Sequence, residues 1–134
     1  MKYEKEYSVH EAATILTQFI DLYVDEDKLR KYGLLWNSLN DTVKRVCLNF
    51  SQVSALNFFK HMGNRVLFLY DERKRSLCQI RWNEIVHFLN SLEPWEENID
   101  WLIFETDLSW FIAVTHEDLL TICAGTPFIQ EDMP

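Results

Sequence analysis

The sequence predicts an α+β single domain, residues 1–134, in which an N-terminal helix and two further helices pack on a mainly antiparallel sheet of four to six strands. Three observations predict this class. Residues 15–23 carry apolar side chains at helical spacing, and residues 66–80 contain two β-rich runs joined by a polar turn. Residues 101–123 contain three short apolar runs with polar connections, which are typical of antiparallel neighbours.

The first helix has clear start and stop signals. Ser8 and Glu11 have the S-x-x-E spacing in which the two side chains cap a helix reciprocally, so a helix is expected to begin here. An acidic cluster at residues 25–27 interrupts its apolar face, and residues 29–32 are expected to add a turn. Gly33 is a plausible stop, because glycine takes the left-handed conformation without steric penalty. The apolar face consists of Ile15, Leu16, Phe19, Ile20 and Tyr23.

The middle of the chain alternates between strand and helix patterns. Residues 44–50 alternate apolar and polar side chains, which favours a strand, although a helix also fits. Ser51 is expected to cap a helix that runs to about Met62 and ends at the turn-forming pair Gly63 and Asn64. This segment supplies the second predicted helix.

A hairpin and the third helix are expected next. Residues 66–70 and 77–80 are the two strands of the hairpin, and residues 71–75 form its polar turn. Asn83 is expected to cap a helix whose end is marked by Pro94.

The last third of the chain is predicted to form sheet. The strands are residues 101–104, 110–114 and 119–123. In an alternative reading, Thr115 caps a helix over the last of these segments.

Composition excludes several classes of protein. Apolar residues make up 48% of the chain, while Gly and Pro number three each, which argues against disorder and repeats. No apolar run approaches the roughly 18 residues of a spanning helix, and the N-terminus lacks a signal-peptide pattern. Cys47, Cys78 and Cys123 are odd in number and widely spaced, which suits reduced, buried thiols. We therefore expect a cytoplasmic protein with no membrane association.

Charge is distributed very unevenly along the chain. All 13 Lys and Arg residues lie at or before Arg81. The same segment contains ten carboxylates, so its net charge is about +3. The remaining residues carry eleven carboxylates and no Lys or Arg, about −11, and the whole chain is −8. Such an imbalance predicts a partner of opposite sign, because a surface of one charge attracts and orients a surface of the other.

Acidic residues alternate with tryptophans just before and within the predicted C-terminal sheet. Carboxylates accelerate the encounter with a basic partner, and an exposed tryptophan limits its dissociation. Trp101 and Trp110 lie in predicted strands and are more consistent with core positions, so Trp95 is the better exposed anchor. A purely solvated acidic face is the competing interpretation. The predicted partner-binding residues are Glu93, Trp95, Glu96, Glu97, Asp100, Glu105 and Asp107.

Catalytic, metal and nucleic-acid signatures are weak. His116 stands beside Glu117 and Asp118, but neighbouring strand residues point to opposite faces, so a polar turn is the favoured interpretation. The chain has no zinc-ligand spacing, no phosphate-binding glycine loop and no nucleophile elbow. Residues 73–75, with Arg81 nearby, form a basic cluster at the hairpin tip, yet the acidic remainder would repel nucleic acid. We expect no enzyme activity, no cofactor, no metal and no nucleic-acid partner.

The segment from Ile99 to Asp118 resembles a C-terminal pattern in small bacterial proteins, some of them immunity proteins of polymorphic or contact-dependent toxin systems. The resemblance covers about twenty residues, with residues 107–110 and 115–117 at its centre. It implies a cytosolic, non-enzymatic inhibitor that binds a cognate toxin domain, often a basic nuclease. Alternatives are a phage-encoded acidic inhibitor of a host defence nuclease, a small enzyme centred on His116, and a module whose acidic half serves only solubility.

Overall fold

The computed structural model describes residues 1–43, 64–91 and 99–115, together with the backbone of residues 45–48 and 120–123. These parts of the chain form three α-helices and seven strands. The helices are α1 (Val9–Tyr23), α2 (Glu26–Tyr32) and α3 (Trp82–Asn90), and a 3-10 turn covers Leu35–Asn37. The strands are β1 (Tyr3–Glu6), β2 (Arg45–Leu48), β3 (Val66–Asp71), β4 (Ser76–Arg81), β5 (Trp101–Phe104), β6 (Phe111–Val114) and β7 (Leu120–Cys123).

The seven strands form one antiparallel sheet in the order β1-β4-β3-β5-β6-β7-β2. Strands β3 and β4 make the predicted hairpin, in which Asp71 pairs with Ser76 and Val66 with Arg81. Strand β3 also pairs with β5, which places the hairpin beside the β5–β6–β7 meander. The first two strands of the chain, β1 and β2, lie at the outer edges. The predicted α+β class is thereby confirmed.

The first helices begin and end at residues suited to those positions. The Ser8 side chain accepts the Glu11 N–H, and the Glu11 side chain accepts the Ser8 N–H, so the predicted capping box is confirmed. The Asp25 carboxylate caps α2 by accepting the N–H groups of Asp27 and Lys28. Helix α2 ends at Gly33, whose φ of 78° is left-handed, as the sequence predicted.

Helices cover both faces of the sheet, so the central strands are buried on two sides. One face packs against α1 and the 3-10 turn, and the other packs against α3. Strand β5 shows the alternation: Leu102 and Phe104 belong to the α1 side, and Trp101 and Ile103 to the α3 side. The α1 side is centred on a cluster of aromatic rings in which Phe19 packs against Tyr23, Phe104 and Phe111. This cluster fixes α1 across the middle of the sheet.

Most predicted elements are confirmed, including the strand at residues 45–48 and the strand, rather than a helix, at residues 120–123. The predicted helix from Ser51 to Met62 lies outside the described residues. Two details are wrong. Within the described residues the sheet has seven strands instead of four to six, because the charged strand β1 was missed. The third helix begins at Trp82 after Arg81, so Asn83 is its second residue and not its cap.

Two tryptophans of the predicted strands and one cysteine are buried as the sequence predicted. Trp101 and Trp110 are core residues, as predicted. Cys78 is a buried free thiol, as predicted, and burial raises its pKa to about 12. The side chains of Cys47 and Cys123 lie outside the described part of the chain. Among the described residues, no helix is long and apolar enough to cross a membrane.

Candidate functional site

The sheet has two ends, and the predicted site residues are divided between them. We call the end that carries residues 72–75, the β3–β4 turn, the hairpin end, and the end that carries residues 105–110, the β5–β6 turn, the acidic-turn end. Asp71 pairs with Trp101 and Phe104 pairs with Phe111, so β5 begins at the hairpin end and finishes at the acidic-turn end. The two ends are separated by the four residues of β5, or about 13 Å at the usual rise of a strand.

The described acidic residues of the predicted site therefore do not form one group in space. Asp100 lies at the hairpin end, whereas Glu105 and Asp107 lie at the acidic-turn end. The other predicted partner-binding residues, Glu93, Trp95, Glu96 and Glu97, lie outside the described residues, as does His116. The chain re-enters the described structure at Ile99, at the hairpin end.

Asp100 is buried, which corrects its assignment to an exposed docking surface. Its side chain is 1% exposed, and its Oδ2 accepts a 2.7 Å hydrogen bond from Nε of Arg73. Its Oδ1 accepts a 3.1 Å hydrogen bond from the indole Nε1 of Trp36. A carboxylate held in this way joins the β3–β4 turn and the 3-10 turn to the start of β5, and a partner cannot reach it from solvent.

Glu72 lies beside Asp100 and is also buried, with 8% of the residue exposed. Its Oε1 accepts the Leu35 N–H at 2.5 Å, its Oε2 accepts the Trp36 N–H at 3.3 Å, and its own N–H donates to the Asp100 carbonyl at 2.8 Å. Burial raises the pKa of Glu72 to about 7. The two N–H donors oppose that rise, and the nearby carboxylates Asp100 and Asp71 add to it.

Asp71 completes the group of three that we call the carboxylate cluster: Asp71, Glu72 and Asp100. The Oδ1 of Asp71 accepts the N–H groups of Arg73 and Lys74, each at 3.1 Å, and its Oδ2 accepts the Trp101 indole N–H at 3.3 Å. It thus fixes the hairpin turn from inside. Within the described chain, no group of three or more His, Cys, Asp or Glu side chains is placed to hold a metal ion.

The predicted basic cluster is divided between the two ends of the sheet. Lys74 and Arg75 are exposed at the hairpin tip, where Arg75 has a φ of 53°, while Arg73 is bound to Asp100. Arg81 lies at the other end of β4, where it pairs with Glu4. The expectation that Arg81 lies near the tip is therefore wrong, because the whole of β4 separates them.

Hydrogen bonds close the backbone of the acidic turn. Its backbone is closed by the Leu108 N–H, which donates to the Glu105 carbonyl at 3.0 Å, and by the Ser109 N–H, which donates to Oδ1 of Asp107 at 3.0 Å. Leu108 is buried and has a φ of 59°, a left-handed conformation that residues other than glycine seldom adopt. The Tyr23 hydroxyl donates to the Leu108 carbonyl, so α1 holds the turn in this conformation.

The two carboxylates of the acidic turn differ in availability. Glu105 has a 16% exposed side chain and accepts a 3.1 Å hydrogen bond from Nη1 of Arg65, so a cation of this chain already partly neutralises it. Asp107 is exposed, and the hydrogen bond from the Ser109 N–H lowers its pKa. Asp107 is therefore ionised at neutral pH and accessible to solvent, whereas Glu105 is engaged by Arg65.

Sequence reasoning missed the residues that organise both ends. Asp71 carried a local signal, since an aspartate at the start of a polar turn often accepts backbone N–H groups. Glu72, Trp36 and Tyr23 carried none, because each acts on a residue far away along the chain.

Comparison with protein-family models, with curated proteins and with solved structures found no match for this chain. The resemblance of residues 99–118 to immunity proteins stays a prediction.

Proposed function

We propose that this chain is a non-enzymatic binding protein of the immunity type, which neutralises a basic toxin or nuclease domain by covering its functional surface. The observation that carries this proposal is the absence of any Lys or Arg after Arg81, in a stretch with eleven carboxylates. Charge of one sign along so long a stretch accelerates encounter with a surface of the other sign and disfavours like-charged partners.

The acidic turn supports this proposal as one contact region. Its backbone is closed by its own hydrogen bonds and fastened to α1 by Tyr23, so Asp107 stands in a fixed position before any partner arrives. A preformed contact loses little conformational entropy on binding, which favours affinity. Glu105 serves chiefly to hold the turn through Arg65 and contributes less to the outer field.

The segment that contains Glu93, Trp95, Glu96 and Glu97 is the second proposed contact region. It joins the described structure at Ile99, at the hairpin end, so it enters the fold about 13 Å from the acidic turn by the usual rise of a strand. Steering by carboxylates and anchoring by Trp95 are its proposed roles. Because the two regions enter the fold at different ends of the sheet, each is tested by a separate charge-reversal variant.

Affinity capture of the tagged chain from its source cell, at low and at moderate salt, is the first experiment. We expect one basic protein, with a toxin or nuclease domain, to remain bound in stoichiometric amount at both salt concentrations. Recovery of nothing specific, or of an acidic or neutral protein, would overturn the proposal.

Charge reversal then identifies the contact region. Asp107→Lys and the double change Glu96→Lys/Glu97→Lys are compared with Asp21→Lys, an exposed carboxylate of the first half of the chain. We expect at least one of the two test variants to slow association with the captured partner by about tenfold at low salt, with a flatter salt dependence. The Asp21 control should stay within about twofold of the unmodified protein. If both test variants associate at the control rate, the acidic half does not form the interface.

A further inference from the structure

The carboxylate cluster contains two buried carboxylates, Asp100 and Glu72. Among the described residues, the cation bonded to this cluster is Arg73, whose Nε donates to Asp100 at 2.7 Å and not to Glu72. Glu72 is bonded only to the backbone N–H groups of Leu35 and Trp36 within the described chain. A buried carboxylate without a cation favours its neutral form, because desolvation penalises the charged form.

We propose that Glu72 is a proton-controlled latch: when neutral it fastens the 3-10 turn to the hairpin end of the sheet through the Leu35 and Trp36 N–H groups, and when it loses its proton the latch loosens. This inference concerns the fold itself and does not depend on the proposed function. In the neutral form one carboxyl oxygen of Glu72 carries the proton, and the other can still accept the Leu35 N–H.

The charges that face Glu72 favour the neutral form. Asp71 precedes it on β3, and Asp100 faces it from the start of β5. Tyr70, on the same strand, is half-buried, and its own pKa is raised by burial and then by the Glu72 charge. The 3-10 turn, Leu35–Asn37, and its flanking residues Leu34 and Ser38 have no ionisable side chain. Among the described residues, Arg73 is the cation bonded to the carboxylate cluster, and its Nε donates to Asp100.

The sign of the pH effect follows from the direction of the shift. The pKa of Glu72 is raised from 4.5 to about 7 in the folded chain. A folded state that holds a proton which the unfolded chain has released is stabilised by acid, so this stability is fully present below pH 4.5 and is lost as the pH rises through about 7. Between pH 5.5 and pH 8 this group alone should lower the folding equilibrium constant by about 30-fold.

Loss of the proton has a defined local consequence. An ionised Glu72 is stabilised by water, and water reaches it most directly if the 3-10 turn moves away from the hairpin end. The Leu35 and Trp36 amides would then lose their acceptors and become exposed. The latch therefore couples pH to the docking of the segment that links α2 to the sheet.

Urea unfolding of the chain, residues 1–134, at pH 5.5 and pH 8 tests the proposal, with Glu72→Gln and an exposed control, Asp21→Asn. We expect the unmodified chain and the control to show the same loss of folding constant on raising the pH, and Glu72→Gln to show a loss smaller by about 30-fold. Equal pH dependence in all three proteins would overturn the proposal.

A second measurement on the unmodified protein holds even if Glu72→Gln fails to fold. Carbon NMR of the Glu72 side-chain carboxyl should give a midpoint near pH 7, and exchange of the Leu35 and Trp36 amides, corrected for intrinsic rate, should accelerate across the same range. A Glu72 midpoint at or below its ordinary value of 4.5, or amide protection that is constant from pH 5.5 to pH 8, would refute the latch.

Discussion

The ion pair between Arg73 and Asp100 predicts that mutation of the more exposed partner is the more damaging change. The Arg73 side chain is 44% exposed and that of Asp100 is 1% exposed. Arg73→Ala removes the guanidinium from a buried carboxylate, which costs about 3–5 kcal/mol when both partners are buried; because Arg73 is half-exposed, we expect about 2–3 kcal/mol. Asp100→Asn keeps an oxygen acceptor for the Trp36 indole and lets Arg73 turn to water, so we expect a cost of about 1–2 kcal/mol.

The double variant isolates the interaction between the two side chains. With Asn at position 100, no charge is stranded, so Arg73→Ala should then cost only about 1 kcal/mol, and the two changes together should cost less than their sum. Urea unfolding at pH 7.5, followed by tryptophan fluorescence, measures all three free energies. Arg81→Ala is the control, because its ion pair with Glu4 is 43% and 42% exposed and its hydrogen bond to the Asn64 carbonyl is also exposed, so we expect a cost of no more than about 1 kcal/mol.

Either of two results would refute this expectation. If Arg73→Ala costs no more than Arg81→Ala, then the Asp100 carboxylate does not depend on its cation, and its burial has another compensation. A cost of Asp100→Asn larger than that of Arg73→Ala would have the same meaning. A folded Asp100→Asn variant should also keep any partner that the unmodified chain captures, because Asp100 does not reach the surface.

Three further changes test local features, each by its urea midpoint. Ser8→Ala removes the capping box shared with Glu11 and should cost about 1 kcal/mol, whereas Ser8→Thr should restore most of it; equal midpoints would contradict the cap. Gly33→Ala meets open space but keeps a φ of 78°, so it should cost about 1–2 kcal/mol and Gly33→Asn less. Tyr23→Phe removes the hydroxyl bound to the Leu108 carbonyl and should cost about 1 kcal/mol with faster amide exchange in the acidic turn; unchanged exchange would show that the turn holds itself.

The sequence predicted those elements whose signals are local. The hairpin of residues 66–81 has two apolar runs around a polar turn, and strands β5 to β7 follow one another with short connections. Strand β1 was missed because its residues, Tyr3 to Glu6, are charged or polar apart from one tyrosine and are all exposed. An edge strand of this kind has no apolar face to produce an alternating pattern.

The candidate site was less predictable because its contacts join distant parts of the chain. Asp100 lies in an acidic stretch, a pattern that predicts a surface residue. It is buried because it binds Arg73 and Trp36, which are 27 and 64 residues away in the sequence. Glu72 follows strand β3, a position at which the sequence predicts an exposed turn residue. Its burial depends on contact with the 3-10 turn, which is distant in the sequence. Asp107 was correctly predicted as exposed because the hydrogen bond that positions it comes from Ser109, only two residues away in the sequence.

The strand order also determines when the sheet can be completed. Leu48 pairs with Leu120 and Tyr3 pairs with Ile80, so each outer edge closes across more than 70 residues. During synthesis, β2 leaves the ribosome long before β7 has been synthesised, so β2 stays unpaired with β7 for that time. Such non-local pairing slows folding, and a strand that waits unpaired is exposed to pairing with other chains. We therefore expect the β3–β4 hairpin and its β5–β6 neighbours to assemble first, and nascent chains that stop before Leu120 to be the most prone to aggregate.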